Sequence, residues 1–323
     1  PSDYYTDENS EDRPDNSSIH SDGDGVNIET FRSELVSQSR VVPESKNISN
    51  FNFVAVGDFY CNHETEDTIE NILKVNPELI ITTGDHVKNV KSAKCWIKDS
   101  QLIKDKMRIA IGNHDLDSKK IYKQITKHHN LTNHYYSHDF ENIHFISMST
   151  EHPYEEGSKQ YEFIKEDLEK ASTNPDIDWI IVHQHKAMYS TRNDMDDAKD
   201  LRNAYHALFE KFNVNFVITG HNQYYERTYP LNYHNEDEDI PIYHYQDGFS
   251  YDHYRDIDGI IFLTVGTGGD DLHDIDNHED YYAVQDEEHG FLNLQVENNG
   301  KTIVGKFHSN DDDIIDYFTV DQT

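Results

Sequence analysis

Asp58, Asp85, Asn113, His114, Asp115, His183 and His221 are side chains of types that can hold a metal ion. Each sits in a short motif: Val56-Gly57-Asp58, Thr83-Gly84-Asp85, Gly112-Asn113-His114-Asp115, Val182-His183 and Gly220-His221-Asn222-Gln223. Carboxylate, amide and imidazole donors in one set suit Zn, Mn or Fe. Each motif follows a short apolar run: Phe53 to Val56, Leu79 to Thr82, Met107 to Ile111, Trp179 to Val182 and Phe216 to Ile218. Such runs read as buried strands. The polar residues then lie on loops at strand ends, where a rigid sheet can aim them at one point. One Gly-Asp pair carries no weight, because a strand-end Asp or His more often caps a turn. Five motifs in order carry a good deal.

Between the motifs the chain alternates strand and helix from Phe51 onward. Thr65 to Val75 reads as a helix stopped by Pro77. Ser158 to Ala171 is a second, with Tyr161, Ile164 and Leu168 on its apolar face. Ala198 to Phe212 is a third, with Leu201, Tyr205, Leu208 and Phe209 on one side. Tyr135 to Ser149 predicts a hairpin turning at Glu141-Asn142. Asn298-Asn299-Gly300 predicts the turn of another, between Phe291-Val296 and Thr302-Phe307. Strands and helices mixed in this way suit two packed sheets with helices outside.

Net charge is −34 over 323 residues. That argues against a nucleic-acid partner. No apolar run approaches a membrane span. The chain starts at Pro1, which reads as a processed or truncated product. Residues 1–49 form an acidic, polar extension with few apolar anchors, and residues 50–323 form the folded domain. Alone, the extension reads as disordered. It would be ordered by its own domain, by a bound cation or by a second copy in a homo-oligomer or filament. Asp22-Gly23-Asp24-Gly25 faintly resembles a calcium loop. Acid is concentrated again at 235–258 and 270–288. The stretch from His86 to Arg108 reverses the sign, with six Lys and one Arg against Asp99 and Asp105. It is either a basic rim attracting an anionic substrate or a solvated helix face. Residues 231–258 read as a long loop near the site. Cys61 and Cys95 follow the first and second motifs, and neighbouring strands would bring them within reach of a disulfide. An acidic extracellular or cell-surface protein fits these features best.

The motif order resembles the calcineurin-like metallophosphoesterase family, and its purple acid phosphatase branch in particular. Tyr225-Glu226-Arg227, the glycine-rich Thr264-Val265-Gly266-Thr267-Gly268-Gly269 and the segment from Gly290 to Val320 are similar to features of that branch. The resemblance spans roughly residues 51–320. It implies a four-layer αββα sandwich of two mixed β-sheets flanked by helices. It also implies a metal-dependent phosphoester hydrolase acting on a phosphate ester. One metal would be held by Asp85, Asn113, His183 and His221, with Asp85 bridging to a second. His114 would bind phosphate or assist the leaving group, oriented by Asp115.

The chain departs from the branch at the second metal. Asp58 is present. Where the branch has Tyr three residues after the second-motif Asp, this chain has Lys88. Where it has His two residues after His221, this chain has Gln223. The oxygen donors that remain, Asp58, Asp85 and Gln223, favour Mg or Ca. In the other reading the Lys88 ammonium fills the position. A substrate-binding His pair of the branch is replaced by Arg192-Asn193. His185 and Tyr189 are nearer substitutes, and Arg192 could hold phosphate but not act as an acid. Lost donors leave a second functional class open, a degenerate relative with a cell-surface or assembly role.

Overall fold

The computed structural model describes residues 48–191, 196–233, 242–243, 252–275 and 277–323. The acidic extension, the calcium-like loop, Arg192 and most of the 231–258 segment lie outside the described residues. The elements run β1 (Phe51–Val56), α1 (His63–Val75), β2 (Leu79–Thr82), α2 (Val90–Asp99), β3 (Met107–Ile109), α3 (Lys119–His128), β4 (Tyr136–Phe140), β5 (Ile143–Ser147) and α4 (Lys159–Ala171). They continue with β6 (Trp179–His183), α5 (Asp196–Lys211), β7 (Phe216–Thr219), β8 (Tyr225–Thr228), β9 (Leu231–Asn232), β10 (Ile242–Tyr243), β11 (Asp252–Arg255) and β12 (Ile261–Val265). The last four are β13 (Tyr282–Asp286), β14 (Gly290–Glu297), β15 (Thr302–Ser309) and β16 (Ile314–Asp321).

Two seven-stranded mixed sheets form the centre. One is ordered β11-β16-β15-β14-β1-β2-β3 and the other β13-β8-β12-β7-β6-β5-β4. Between them lies an apolar layer that includes Phe53, Ala55, Ile81, Phe145, Trp179, Ile181, Phe216, Leu263, Leu292 and Phe307. The outer face of the first sheet packs Val54, Val56 and Ile80 against Ile69 and Ile72 of α1, Trp96 of α2 and Ile121 and Ile125 of α3. The outer face of the second packs Ile180, Val182 and Val217 against Ile164 and Leu168 of α4 and Leu201, Tyr205 and Phe209 of α5. This is the four-layer αββα sandwich that the resemblance implies. Both faces of β1, β2, β6 and β7 are covered, which explains their unbroken apolar runs.

Local chemistry sets the helix starts. Asn62, Asn89, Ser118 and Ser158 each cap a helix by accepting from a backbone N–H of its first turn. The expected hairpins are present as β4–β5 and β14–β15. Two expectations change. The 231–258 segment is not wholly loop: residues 252–255 form β11, paired parallel to β16 at the edge of the first sheet. The basic stretch contains α2, whose Lys91, Lys94 and Lys98 are exposed while Ala93 and Trp96 are buried. For those three lysines the solvated-face reading holds.

Two cross-links brace the frame. Cys61 and Cys95 form a disulfide with a sequence separation of 34, tying the loop after β1 to α2. Closing a loop of that length removes about 3–4 kcal/mol of unfolded-chain entropy. Arg227 of β8 is fully buried and spans the sheets. It donates to both oxygens of Asp316 at 2.7 and 3.0 Å, to Tyr254 Oη at 3.1 Å and to Asp252. The Tyr-Glu-Arg stretch therefore supplies an architectural residue, and its partners lie on β11 and β16.

His144 of β5 stands between two acids, with Nδ1 2.6 Å from Asp139 and Nε2 3.0 Å from Asp167. Burial disfavours its charge, but the two carboxylates hold its pKa above the usual value. Burial likewise opposes ionisation of Asp167, yet His144 and Ser137 draw its pKa down. The raised His144 contributes fully below about pH 6.5 and is lost as pH rises through its folded pKa. The depressed Asp167 contributes above about pH 4 and is lost as pH falls through its own. Replacing His144→Gln should therefore cost most stability between about pH 4 and 6.5. Urea denaturation at pH 5.5 and 8.5 should show the gap to wild type narrowing at the higher pH. An unchanged gap would mean the pair carries no charge-dependent stability.

Candidate metal centre

The loops after β1, β2, β3, β6 and β7 leave the same end of the two sheets. They are stitched together by their backbones: Asp58 N to Gly84 O at 3.0 Å, Gly220 N to His185 O at 2.9 Å and Gly57 N to Val265 O at 3.0 Å. Gly268 donates to Gly57 O, and a Cβ there would lie 2.6 Å from that oxygen, so the close approach requires glycine. Asp58, Asp85, His221 and Gln223 all have positive φ, between 49° and 68°. Such backbone is uncommon for residues other than glycine and clusters at functional sites.

Four donors converge. His185 Nε2 lies 3.0 Å from Asn113 Oδ1, 3.1 Å from His221 Nδ1 and 3.3 Å from Asp85 Oδ2. Asp85, His185 and His221 form the one group of three metal-type ligands among the described residues. A tetrahedron with bonds of about 2.0–2.1 Å has edges of about 3.3 Å. A single N–H on His185 cannot serve three neighbours at once, whereas one cation can. His185 Nδ1 donates to Thr83 O at 2.8 Å, which fixes the ring and leaves Nε2 facing the cluster. The residues present therefore fit a transition-metal ion.

This places the fourth-motif histidine differently from the expectation. His185, not His183, joins Asp85, Asn113 and His221. His183 is the last residue of β6 and follows Trp179 and Ile181 onto the inter-sheet face. Its Nδ1 donates to Thr82 O at 3.0 Å, and burial lowers its pKa to about 4. His185 has the same parity but lies two residues further on, past the strand end, and its ring reaches the next carbonyl, Thr83 O. His185 thus leaves the substrate-side role first suggested for it.

The third motif also changes. Asp115 does not orient His114. It is buried and accepts from His86 N at 3.0 Å, from His86 Nδ1 at 2.9 Å and from Gly112 N at 3.1 Å. It clamps the loop carrying Asp85 to the loop carrying Asn113. His114 instead pairs with Asp117 at 3.0 Å, and its backbone N–H donates to Asp85 Oδ1 at 2.8 Å. Its side chain is partly exposed at the rim. Tyr189 is buried against His206 and Phe262.

Asp58 lies beside the four donors and accepts from His221 N at 2.8 Å through Oδ2. Burial pushes its carboxyl pKa up, and Asp85 and Asp270 add to this against the pull of His185. Asp85 is held below its usual value, because His185 and His114 overcome the effect of burial. His185 is held above its usual value despite burial, by Asp85 and Asp58. Lys88 Nζ lies 2.5 Å from Asp270 Oδ2, and Gln223 Nε2 donates to the same oxygen at 2.6 Å. Sequence reasoning missed Asp270 because it opens a run of acids that looked like surface. Its position directly after the glycine-rich loop was the available signal.

Comparison with known proteins agrees with this geometry. The family model described as calcineurin-like phosphoesterase matches residues 51–225. Purple acid phosphatase 21 of Arabidopsis thaliana is 24% identical over 67% of this chain and 49% of its own length. Other relatives in that plant carry names that call them inactive. The chain spans about half the length of that first relative. Among solved structures, purple acid phosphatase PPD1 of yellow lupin (Lupinus luteus) superposes with TM-score 0.67 at 20% identity, over 85% of this chain and 54% of that one. GAP50, titled the anchor in the inner membrane complex of Plasmodium, gives TM-score 0.63 at 17% identity, over 85% and 89%. At those identities the structures speak for the fold, while the matched motifs speak for descent. The chain belongs to the calcineurin-like phosphoesterase family, in its purple acid phosphatase-like branch.

Proposed function

We propose that this chain is a metal-dependent phosphoester hydrolase with one transition-metal site and an altered second site. The observation that carries the reading is the convergence of Asp85, Asn113, His185 and His221. The ion would be Zn, Mn or Fe, given two imidazoles and two oxygen donors. When bound, it would lower the pKa of a water ligand and polarise the phosphoryl group. The chain's own residues do the rest. Asp85 and Asn113 are held by the Asp115 clamp, and His185 by Thr83 O. Asp117 accepts from His114 Nδ1, leaving the other ring nitrogen for a phosphate oxygen or the leaving group. The side chain of Arg192 lies outside the described residues, and its proposed role is a cationic contact to phosphate.

The disulfide suits an oxidising compartment, which favours an extracellular or cell-surface location. Self-association through the acidic extension remains part of the proposal. The second reading is a non-catalytic relative with a cell-surface or self-assembling structural role. Lys88 and Gln223, standing where the branch has metal donors, are the observation in its favour. The test is metal content measured alongside hydrolysis of p-nitrophenyl phosphate, its bis-ester and a nucleoside diphosphate. Metal-loaded protein is expected to cleave at least one of them. Loaded protein inert toward all three would replace the hydrolase reading with the second.

A further inference from the structure

We propose that Lys88 is a resident cation standing in for the second metal ion, seated by Asp270, which Gln223 helps to hold in place, so that the chain binds a single divalent ion. This rests on the metal reading above. Lys88 holds the position where the branch has a tyrosinate donor, and Gln223 that of an imidazole donor. Gln223 is buried, and the Lys88 side chain is 30% exposed. Lys88 Nζ and Gln223 Nε2 meet on one carboxylate oxygen, Asp270 Oδ2, at 2.5 and 2.6 Å. The Asp270 side chain is 2% exposed. It is fixed to the metal loops from both sides: Asp270 N donates to Asp58 O at 2.9 Å, and His273 N donates to Gln223 O at 3.0 Å. Its second oxygen accepts from Asp271 N at 2.9 Å. Lys88 also lies 5.7 Å from the centre of the Tyr60 ring.

Charge decides the stoichiometry. Asp58, Asp85 and Asp270 are buried acids, and Lys88 pairs with Asp270. Their formal charges sum to minus two, which one divalent ion cancels. A second would leave the same excess of positive charge in a site of low dielectric, unless the ammonium left. Two acceptors of the right kind, Asp58 Oδ1 and Gln223 Oε1, are buried without a hydrogen-bond partner. These same oxygens become hard-cation ligands once the ammonium is removed.

The experiment is metal stoichiometry after saturation with Mn(II) and desalting, by plasma mass spectrometry. Lys88→Met removes the charge while keeping the length, and Lys88→Arg keeps the charge and serves as the folding control. Lys88→Met should take up one further equivalent relative to wild type, and Lys88→Arg none. The increment reads the inference, and the wild-type number reads the four-donor site, so the two fail separately. Wild type already holding two equivalents, or Lys88→Met with no increment, would overturn the resident-cation assignment. Should Lys88→Met fail to fold, Lys88→Gln with the disulfide intact replaces it on the same criterion.

Discussion

Replacing His185→Ala should empty the metal centre, whereas His183→Leu should leave it filled. Both histidines are buried, two residues apart and on the same side of the chain. Only His185 Nε2 faces Asn113, His221 and Asp85 at 3.0–3.3 Å. Losing a residue that merely supports a ligand costs about 10–100-fold in metal affinity. Losing the ligand at the hub of four donors should exceed that and bring metal content to zero after desalting, with loss of any hydrolysis. His183→Leu gives up one hydrogen bond to Thr82 O, worth about 1 kcal/mol, and keeps its metal. Calorimetric titration with Zn(II) reads both variants. Equal retention of metal by the two would remove His185 from the ligand set.

Arg227→Met should be the most destabilising single substitution described for this chain. The guanidinium is fully buried, and its removal leaves the buried Asp316 without its cation, with Tyr225 Oη still donating to it at 2.6 Å. Breaking a buried ion pair by deleting one partner costs about 3–5 kcal/mol, mostly from the orphaned charge. The double variant Arg227→Met, Asp316→Asn should recover part of that loss, because the orphan is then neutral. Urea unfolding of wild type, single and double variants completes the cycle. A loss under about 1 kcal/mol would mean water reaches Asp316 and the bridge does not hold β11 and β16 to β8.

The strands that carry the motifs could be read directly, since residues buried on both faces must be apolar throughout. Helices α1, α4 and α5 were legible because several apolar residues recur on one side. Helix α3 was not, because its buried stripe is only Ile121 and Ile125 in a run of Lys, Gln and His. The choice between His183 and His185 needed the end of β6, and strand ends are where sequence patterns are least definite. The partner of Asp115 lies 29 residues away in chain and comes from another loop. No local spacing encodes it. Asp270 was hidden by composition: an acid among acids looks solvated until the fold buries it. Edge strand β11 was missed for a similar reason, since Asp252-His253-Tyr254-Arg255 has little apolar content and is held by its pairing with β16, by Asp321 and by Arg227.

The placement of β1 has a consequence for how the protein is made. This strand pairs with β2 soon after it emerges, but its other side takes β14, with Phe51 opposite Val296, about 245 residues later. The middle of the first sheet is therefore open until about 245 further residues have left the ribosome. During that interval an apolar strand presents an unpaired edge to other chains. Topology of this kind folds slowly, because distant segments must meet before either gains. Truncations that remove β14 to β16 should accumulate as aggregates bound by chaperones, even though every metal donor named above would still be present in them.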